Sequence, residues 1–383
     1  LLANLVDTLA TERFTMHVKD IEHDTLFTES IPNTGYTFAW AADNRTIFYT
    51  VIDDAKRPYK VYRHTIGNDP AADAFLFHET DDALWLDVYS SKSEEYIFIV
   101  SSSHTTCEIH YLDAHTPFEK FRMIHPRQRG MEYYIMHNGE KFYIRTNDNA
   151  KNFRVCEAPV RDPQKSNWKE IIPHRDSVMI EDIEIFKDHL VVHERINALE
   201  QLLIIDLTSG DSHYLDFDES VYTFWLHDNF DFNTALLRFT YSSFTTPKTV
   251  FEYDMDTRTR HLLKQYEVLG GFDPALYQTE RIFATAHDGT KIPISLMYKK
   301  SLQKNGTNPL YLNGYGAYGA SSEPYFSSNR ISLLDRGFIY GIAHVRGGGE
   351  MGRLWYEQGK LFNKMNTFTD YITCAEHLIQ EHY

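Results

Sequence analysis

Five apolar residues, Phe48, Phe98, Phe142, Val191 and Leu237, mark a unit that recurs at steps of 50, 44, 49 and 46 residues. Each lies in a short strand-like run preceded by another such run and a polar turn: Asp43-Asn44, then residues 93–95, 138–140, 187–189 and 229–233. A third run follows in each unit, at 59–64, 107–112, 153–156, 202–206 and 250–253. A fourth lies at 74–79, 121–125, 168–172, 212–217 and 260–264. The turns carry Asp, Asn, Gly, Thr and Pro, the residues that favour turn geometry. Four strands per unit at a period near 47 is the pattern of a β-propeller blade. The count is five blades between Ala39 and Gln265, with residues 14–30 as the outer strands of an earlier one. A β-sandwich or two is the alternative. The 25 Tyr and 25 Phe suit either all-β architecture. An incomplete ring leaves unpaired strand edges, so a propeller predicts further amino-terminal strands.

The pattern breaks at residues 266–276, which hold Gly270-Gly271 and Pro274 and show no periodicity. We therefore expect two domains, 1–268 and 269–383, in line with a length too great for one ordinary core. Past the break, runs at 280–287 and 292–299 flank Asp288-Gly289, a strong hairpin signal, and Pro293 restrains the second run to an edge. Residues 310–313 stop at a glycine-rich turn, 314–319, and residues 338–345 stop at another, 346–349. A helix-like segment at 326–334 lies between them, with Ser327 or Ser328 as its cap. That order predicts parallel strands, and ligands of such sheets collect at the strands' carboxyl ends. Chemistry is thus expected near Tyr315 and Arg346. A last helix is expected over 369–380, capped by Thr367 or Thr369, with Phe368, Ile372, Ala375 and Ile379 on one face.

The formal charge of −16 leaves no basic patch for nucleic acid and would attract basic peptides, although it serves solubility equally well. Cys107, Cys156 and Cys374 are odd in number and far apart, which predicts neither disulfides nor a zinc site and fits a reducing, cytoplasmic setting. None of the 19 histidines falls into a metal-binding spacing, so no metal or cofactor is expected. No run is long and apolar enough to span a membrane. The first ten residues lack a basic signal-peptide region. Both ends read as internal to a longer protein. The polar-aromatic segment 131–148 is either a binding surface or a plain strand–turn–strand.

Several motifs together carry a resemblance. They are residues 309–318, the LLDR at 333–336, AHVRGGGE at 343–350, residues 355–359 and NTFTDY at 366–371. Weaker matches run through the blades, at Lys151-Asn152-Phe153, SSFTTPKT (242–249) and DMDT (254–257). The whole chain resembles the prolyl oligopeptidase family of serine peptidases, within it the oligopeptidase B group. The resemblance implies a seven-bladed propeller followed by an α/β-hydrolase domain, here partial in both. It implies hydrolysis of short peptides on the carboxyl side of Arg or Lys without cofactor or metal.

Tyr315 matches the tyrosine whose hydroxyl stabilises the oxyanion, while the residue pattern alone allows an aromatic lid. Glu323 matches one of two acids lining the subsite for a second basic residue. Tyr325 stands where the other acid is found, so preference for paired basic residues should be weak. A helix-start acid is the other reading of Glu323. Arg346 is expected in a salt bridge or carbonyl contact that shapes the floor of the site, and His344 to be structural. The resemblance puts the nucleophilic serine about fifteen residues past Tyr383, with the aspartate, the histidine and the acids for the first basic side chain beyond it. No G-x-S-x-G occurs in the chain. This polypeptide by itself should therefore be inactive. Rival readings are a proline-specific enzyme and a propeller that binds peptides without chemistry.

Overall fold

The structure, a computed structural model, describes residues 1–383. It divides into two compact units, Leu1–Asp148 with Arg154–Pro173, and Asn149–Phe153 with His174–Tyr383.

The first unit opens with a six-stranded antiparallel sheet in sequence order: Leu2–Val6, Phe14–Asp20, Thr25–Trp40, Thr46–Ile52, Pro58–Thr65 and Ala74–His78. The sixteen-residue strand Thr25–Trp40 serves two neighbours. Its first part pairs with Phe14–Asp20 and its last part with Thr46–Ile52, and the partner changes around Thr34. Two four-stranded sheets follow, Trp85–Ser90 to Arg122–His125 and Tyr133–Asn138 to Lys169–Ile172. The repeat residues Phe48, Phe98 and Phe142 are completely buried. Inward-facing residues of successive sheets interdigitate, as alternation along a strand requires. Phe98 meets Phe142 edge-on with ring centroids 5.8 Å apart, and Tyr111 meets Phe142 at 5.2 Å. The segment 131–148 is a strand, turn and strand, with Tyr133 in the core.

The second unit continues the repeat with two more sheets, Val178–Ile185 to Ser212–Tyr214 and Tyr222–Leu226 to Thr259–Gln265. Val191 and Leu237 are again fully buried. Five meandering sheets thus follow the predicted period, with the early strands fused to the first of them.

A sheet of different topology comes next. Its strands are β1 (Tyr277–Thr285), β2 (Lys291–Lys299), β3 (Leu310–Asn313) and β4 (Ile339–Ala343), in spatial order β1-β2-β4-β3. β3 and β4 are parallel and the other pairs antiparallel. The helices are α1 (Ser328–Asp335), α2 (Arg353–Glu357) and α3 (Met365–Gln380). Three expectations need correcting here. β2 is internal rather than an edge strand. Its pairing with β4 begins only at Ile294, so Pro293 sits where no ladder donor is required, and its carbonyl accepts from the His344 N–H at 2.9 Å. Ser327 holds the cap position of α1 but makes no side-chain cap bond, and neither threonine caps α3.

The third correction concerns α3, which starts at Met365 and buries Thr367, Asp370, Cys374 and Leu378. The face predicted from apolar spacing points outward, with Phe368, Ile372 and Ile379 exposed. Polar anchors decide the matter: Asp370 is ion-paired under the sheet, and the Tyr371 hydroxyl donates to the Leu312 carbonyl at 2.8 Å.

Candidate active site

Because β3 and β4 are parallel neighbours, their carboxyl ends lie side by side and the two glycine turns meet. Gly316 (φ +60°) and Gly347 (φ +101°) both adopt the left-handed region that favours glycine. A Cβ on Gly347 would stand 2.2 Å from the Gly316 carbonyl oxygen, closer than any side chain tolerates. Gly319 N–H donates to the Gly347 carbonyl at 3.0 Å. From α3, the Thr367 hydroxyl donates to the Arg346 carbonyl at 2.6 Å, and Lys364 Nζ donates to the Gly316 carbonyl. Tyr315 rides on this interlocked turn. Its side chain is 55 % exposed and its hydroxyl has no bonding partner within the chain.

Arg346 is almost entirely buried. Its Nε and Nη2 donate to the two carboxylate oxygens of Asp370 at 2.8 and 2.6 Å, and Nη1 donates to Asp288 at 2.6 Å. Its hydrogen bonds to Asp370, then to Asp288, hold the guanidinium's pKa above its usual value despite burial. The bond from Arg346 holds the Asp288 carboxyl well below the usual carboxylate range. Arg346 therefore clamps α3, the β1–β2 hairpin and the end of β4 together. Its side chain is spent on these salt bridges rather than presented to a peptide.

His344 makes an arrangement that looks catalytic on paper. Its Nε2 lies 2.8 Å from Ser295 Oγ and its Nδ1 3.6 Å from Glu350 Oε1. All three side chains are buried, and Ser295 sits within the internal strand β2. No substrate carbonyl reaches that hydroxyl, so the trio is structural. Glu350 also accepts the Ser322 N–H at 3.0 Å and so fixes the chain that leaves the Tyr315 turn.

Glu323 is not a free carboxylate. Arg195 Nη2 donates to its Oε1 at 2.7 Å and Arg195 Nη1 to its Oε2 at 3.4 Å. The same guanidinium reaches Glu181 at 2.6 Å and Glu200 at 3.4 Å, and His193 lies between Glu181 and Glu200 at 3.3 and 3.1 Å. Burial raises the Glu323 carboxyl to about 7, against the pull of Arg195. Burial alone would lower the pKa of Arg195, but the surrounding carboxylates push it well up. Glu181, His193 and Glu200 bring ligand atoms within 4.8 Å of one another. A metal ion does not fit there, because the guanidinium already occupies the electropositive position. Tyr325 is half-exposed, and its ring lies 5.6 Å from the Arg330 guanidinium of its own chain.

Residues 1–266 match the sequence pattern described as "Prolyl oligopeptidase, N-terminal beta-propeller domain", and residues 324–383 match that of the "Prolyl oligopeptidase family". The chain belongs to the prolyl oligopeptidase family. It is 40% identical to dipeptidyl aminopeptidase BI of Pseudoxanthomonas mexicana over 386 residues, covering 100% of this chain and 53% of the relative. It is 35% identical to protease 2 of Moraxella lacunata, covering 100% and 55%. Among solved structures it resembles oligopeptidase B from Leishmania major, with a TM-score of 0.90, 32% identity, and 99% of this chain and 55% of that one covered. Oligopeptidase B from Trypanosoma brucei, with covalently bound antipain, gives 0.89 and 35%, with the same coverage. The chain spans about half the length of the curated relatives it matches. Its fold is that of this family, propeller blades followed by the start of an α/β-hydrolase domain. No helix is long and apolar enough to cross a membrane.

Within this prolyl oligopeptidase fold, sequence reading overlooked Asp370, Asp288 and Arg195. Asp370 was visible only as one letter of the NTFTDY motif, and Asp288 only as a turn residue. Their common partner Arg346 is 24 and 58 residues away along the chain, and local spacing carries no signal for such pairs.

Proposed function

We propose that the chain is part of a serine oligopeptidase that hydrolyses short peptides on the carboxyl side of Arg or Lys. The observation that carries this reading is the free Tyr315 hydroxyl on a rigid turn at the carboxyl ends of β3 and β4. A hydroxyl with no partner of its own, on a backbone that cannot relax, suits an oxyanion that forms only during reaction. In the full-length protein a serine hydroxyl, its proton taken by a histidine, adds to the peptide carbonyl. Tyr315 donates to the resulting oxyanion, the C–N bond breaks as the histidine returns the proton to the leaving amine, and water, deprotonated by the same histidine, then cleaves the acyl–serine ester and frees the serine. We assign those two residues and their aspartate to sequence beyond Tyr383, so the 383-residue chain alone is inactive. Residues 1–268 then form the propeller that limits access to short peptides, and 269–383 begin the peptidase domain. Three free, buried cysteines suit a cytoplasmic enzyme.

A second reading, a proline-specific enzyme, is left open by Tyr325, a half-exposed ring where the resemblance implies a second acid. Dipeptide amides ending in arginine or proline decide between them with the full-length protein. Arginine cleavage at least about tenfold faster supports the first reading, and the reverse ratio replaces it with the second.

A further inference from the structure

The Arg195 nest has the chemistry of an occupied cation subsite. Glu181 and Glu323 each turn both carboxylate oxygens to the one guanidinium, and Glu200 stands behind them. The nest is stiff. Glu200 accepts from the Thr223 hydroxyl at 2.5 Å and from the Phe224 N–H at 3.3 Å. Arg195 and His193 lie in the strand His189–Ile196, paired on both sides. Glu323 enters from the chain between the Tyr315 turn and α1. The nest binds its guanidinium as a peptide's arginine would be bound, by charge-assisted bonds with both oxygens of a carboxylate.

We propose that Arg195 is a specificity-determining residue: it is the resident cation of this nest and keeps Glu323 from selecting a second basic side chain in the substrate. This rests on the peptidase reading above and adds a term to it. The guanidinium is bonded to both oxygens of Glu181 and of Glu323 at once, so swinging aside for an incoming cation would break both pairs. Displacing it would leave a buried charge short of one partner, a strongly unfavourable state. An incoming arginine or lysine therefore meets a carboxylate whose charge is already matched. Discrimination must come from the residue at the cleaved bond alone.

The test uses the full-length protein and two amide substrates that share a carboxyl-terminal arginine and differ before it, one with alanine and one with arginine. The wild type should cleave them with kcat/KM values within about threefold of each other, the level of a side chain that gains no net ion pair. Arg195→Met frees the nest, and the arginine-arginine substrate should gain about tenfold over alanine-arginine, mainly through KM, as a new charge-assisted bond would provide. Arg195→Lys keeps the cation and should stay at the wild-type ratio. A residue that only ties the loop in place would change both substrates alike. A wild type that already prefers the paired substrate tenfold overturns the proposal without any variant, so it stays exposed even if Arg195→Met fails to fold. An unchanged ratio in a folded Arg195→Met overturns it too. A wild type that cleaves neither substrate, with its proline counterpart cleaved, brings down the peptidase reading itself and this inference with it.

Discussion

Arg346 holds a hairpin and a helix to the end of β4 through one guanidinium, and each of its two partners makes a different forecast. Asp370 is fully buried, so Asp370→Asn leaves a cation without its main counter-charge inside the protein. The expected loss is about 3–5 kcal/mol, read by denaturant unfolding. Asp288 is more exposed and its effect is a matter of pH. Its carboxyl is held below its unfolded value of about 4, so its bond adds stability that is complete above that pH and fades as pH falls through the lower folded value. The stability gap between wild type and Asp288→Asn should be flat above about pH 5 and close in stronger acid. Tyr315 behaves in the opposite way. Exposed and unbonded, it contributes little to folding, so Tyr315→Phe in the full-length protein should leave the melting temperature unchanged. The same variant should lower kcat by about 10²–10³ if the hydroxyl meets the oxyanion. A stable variant with full activity would remove Tyr315 from the site. The sequence pointed to Tyr315 and Arg346 because both follow an apolar run that stops at glycines. It was silent on Arg195, which lies in an ordinary strand 128 residues from Glu323.

Among the elements, the interlocked turns explain why the glycines 316 and 347 stand where they do. Gly347→Ala places a methyl 2.2 Å from a carbonyl oxygen at a φ that alanine resists. It should cost at least about 2 kcal/mol in unfolding experiments, combining strain with a forced backbone shift. At this scale the order of strands and helices was legible, while the buried face of α3 was not. That helix carries apolar residues on both sides, and the choice between them was made by Asp370 and Tyr371, whose partners lie on β3 and just past β4. The motif at 242–249 was visible as a string of letters with no mechanism. In the structure its hydroxyls, with Tyr241, surround one carboxylate: Ser243, Thr245 and Thr246 donate to Glu219 at 2.7, 2.6 and 2.8 Å.

Over the whole molecule, a charge of −16 should draw cationic peptides from a distance. In the full-length enzyme kcat/KM for arginine substrates should fall several-fold as salt shortens the screening length from about 14 Å to a few ångströms. A neutral substrate of the same length should be indifferent. The five-sheet repeat was readable because each repeat unit buries one apolar residue near the start of its second strand. What could not be read was the strand Thr25–Trp40. It contains Pro32, Asn33 and Gly35, which look like a turn between two units. Asn33 does take a left-handed conformation (φ +60°), yet the chain only bulges there and runs on extended. The early strands and the first four-stranded blade are consequently one continuous piece of fabric. No seam lies between them for a protease to cut or a hinge to swing on, and heat or force that frays one must tear the other.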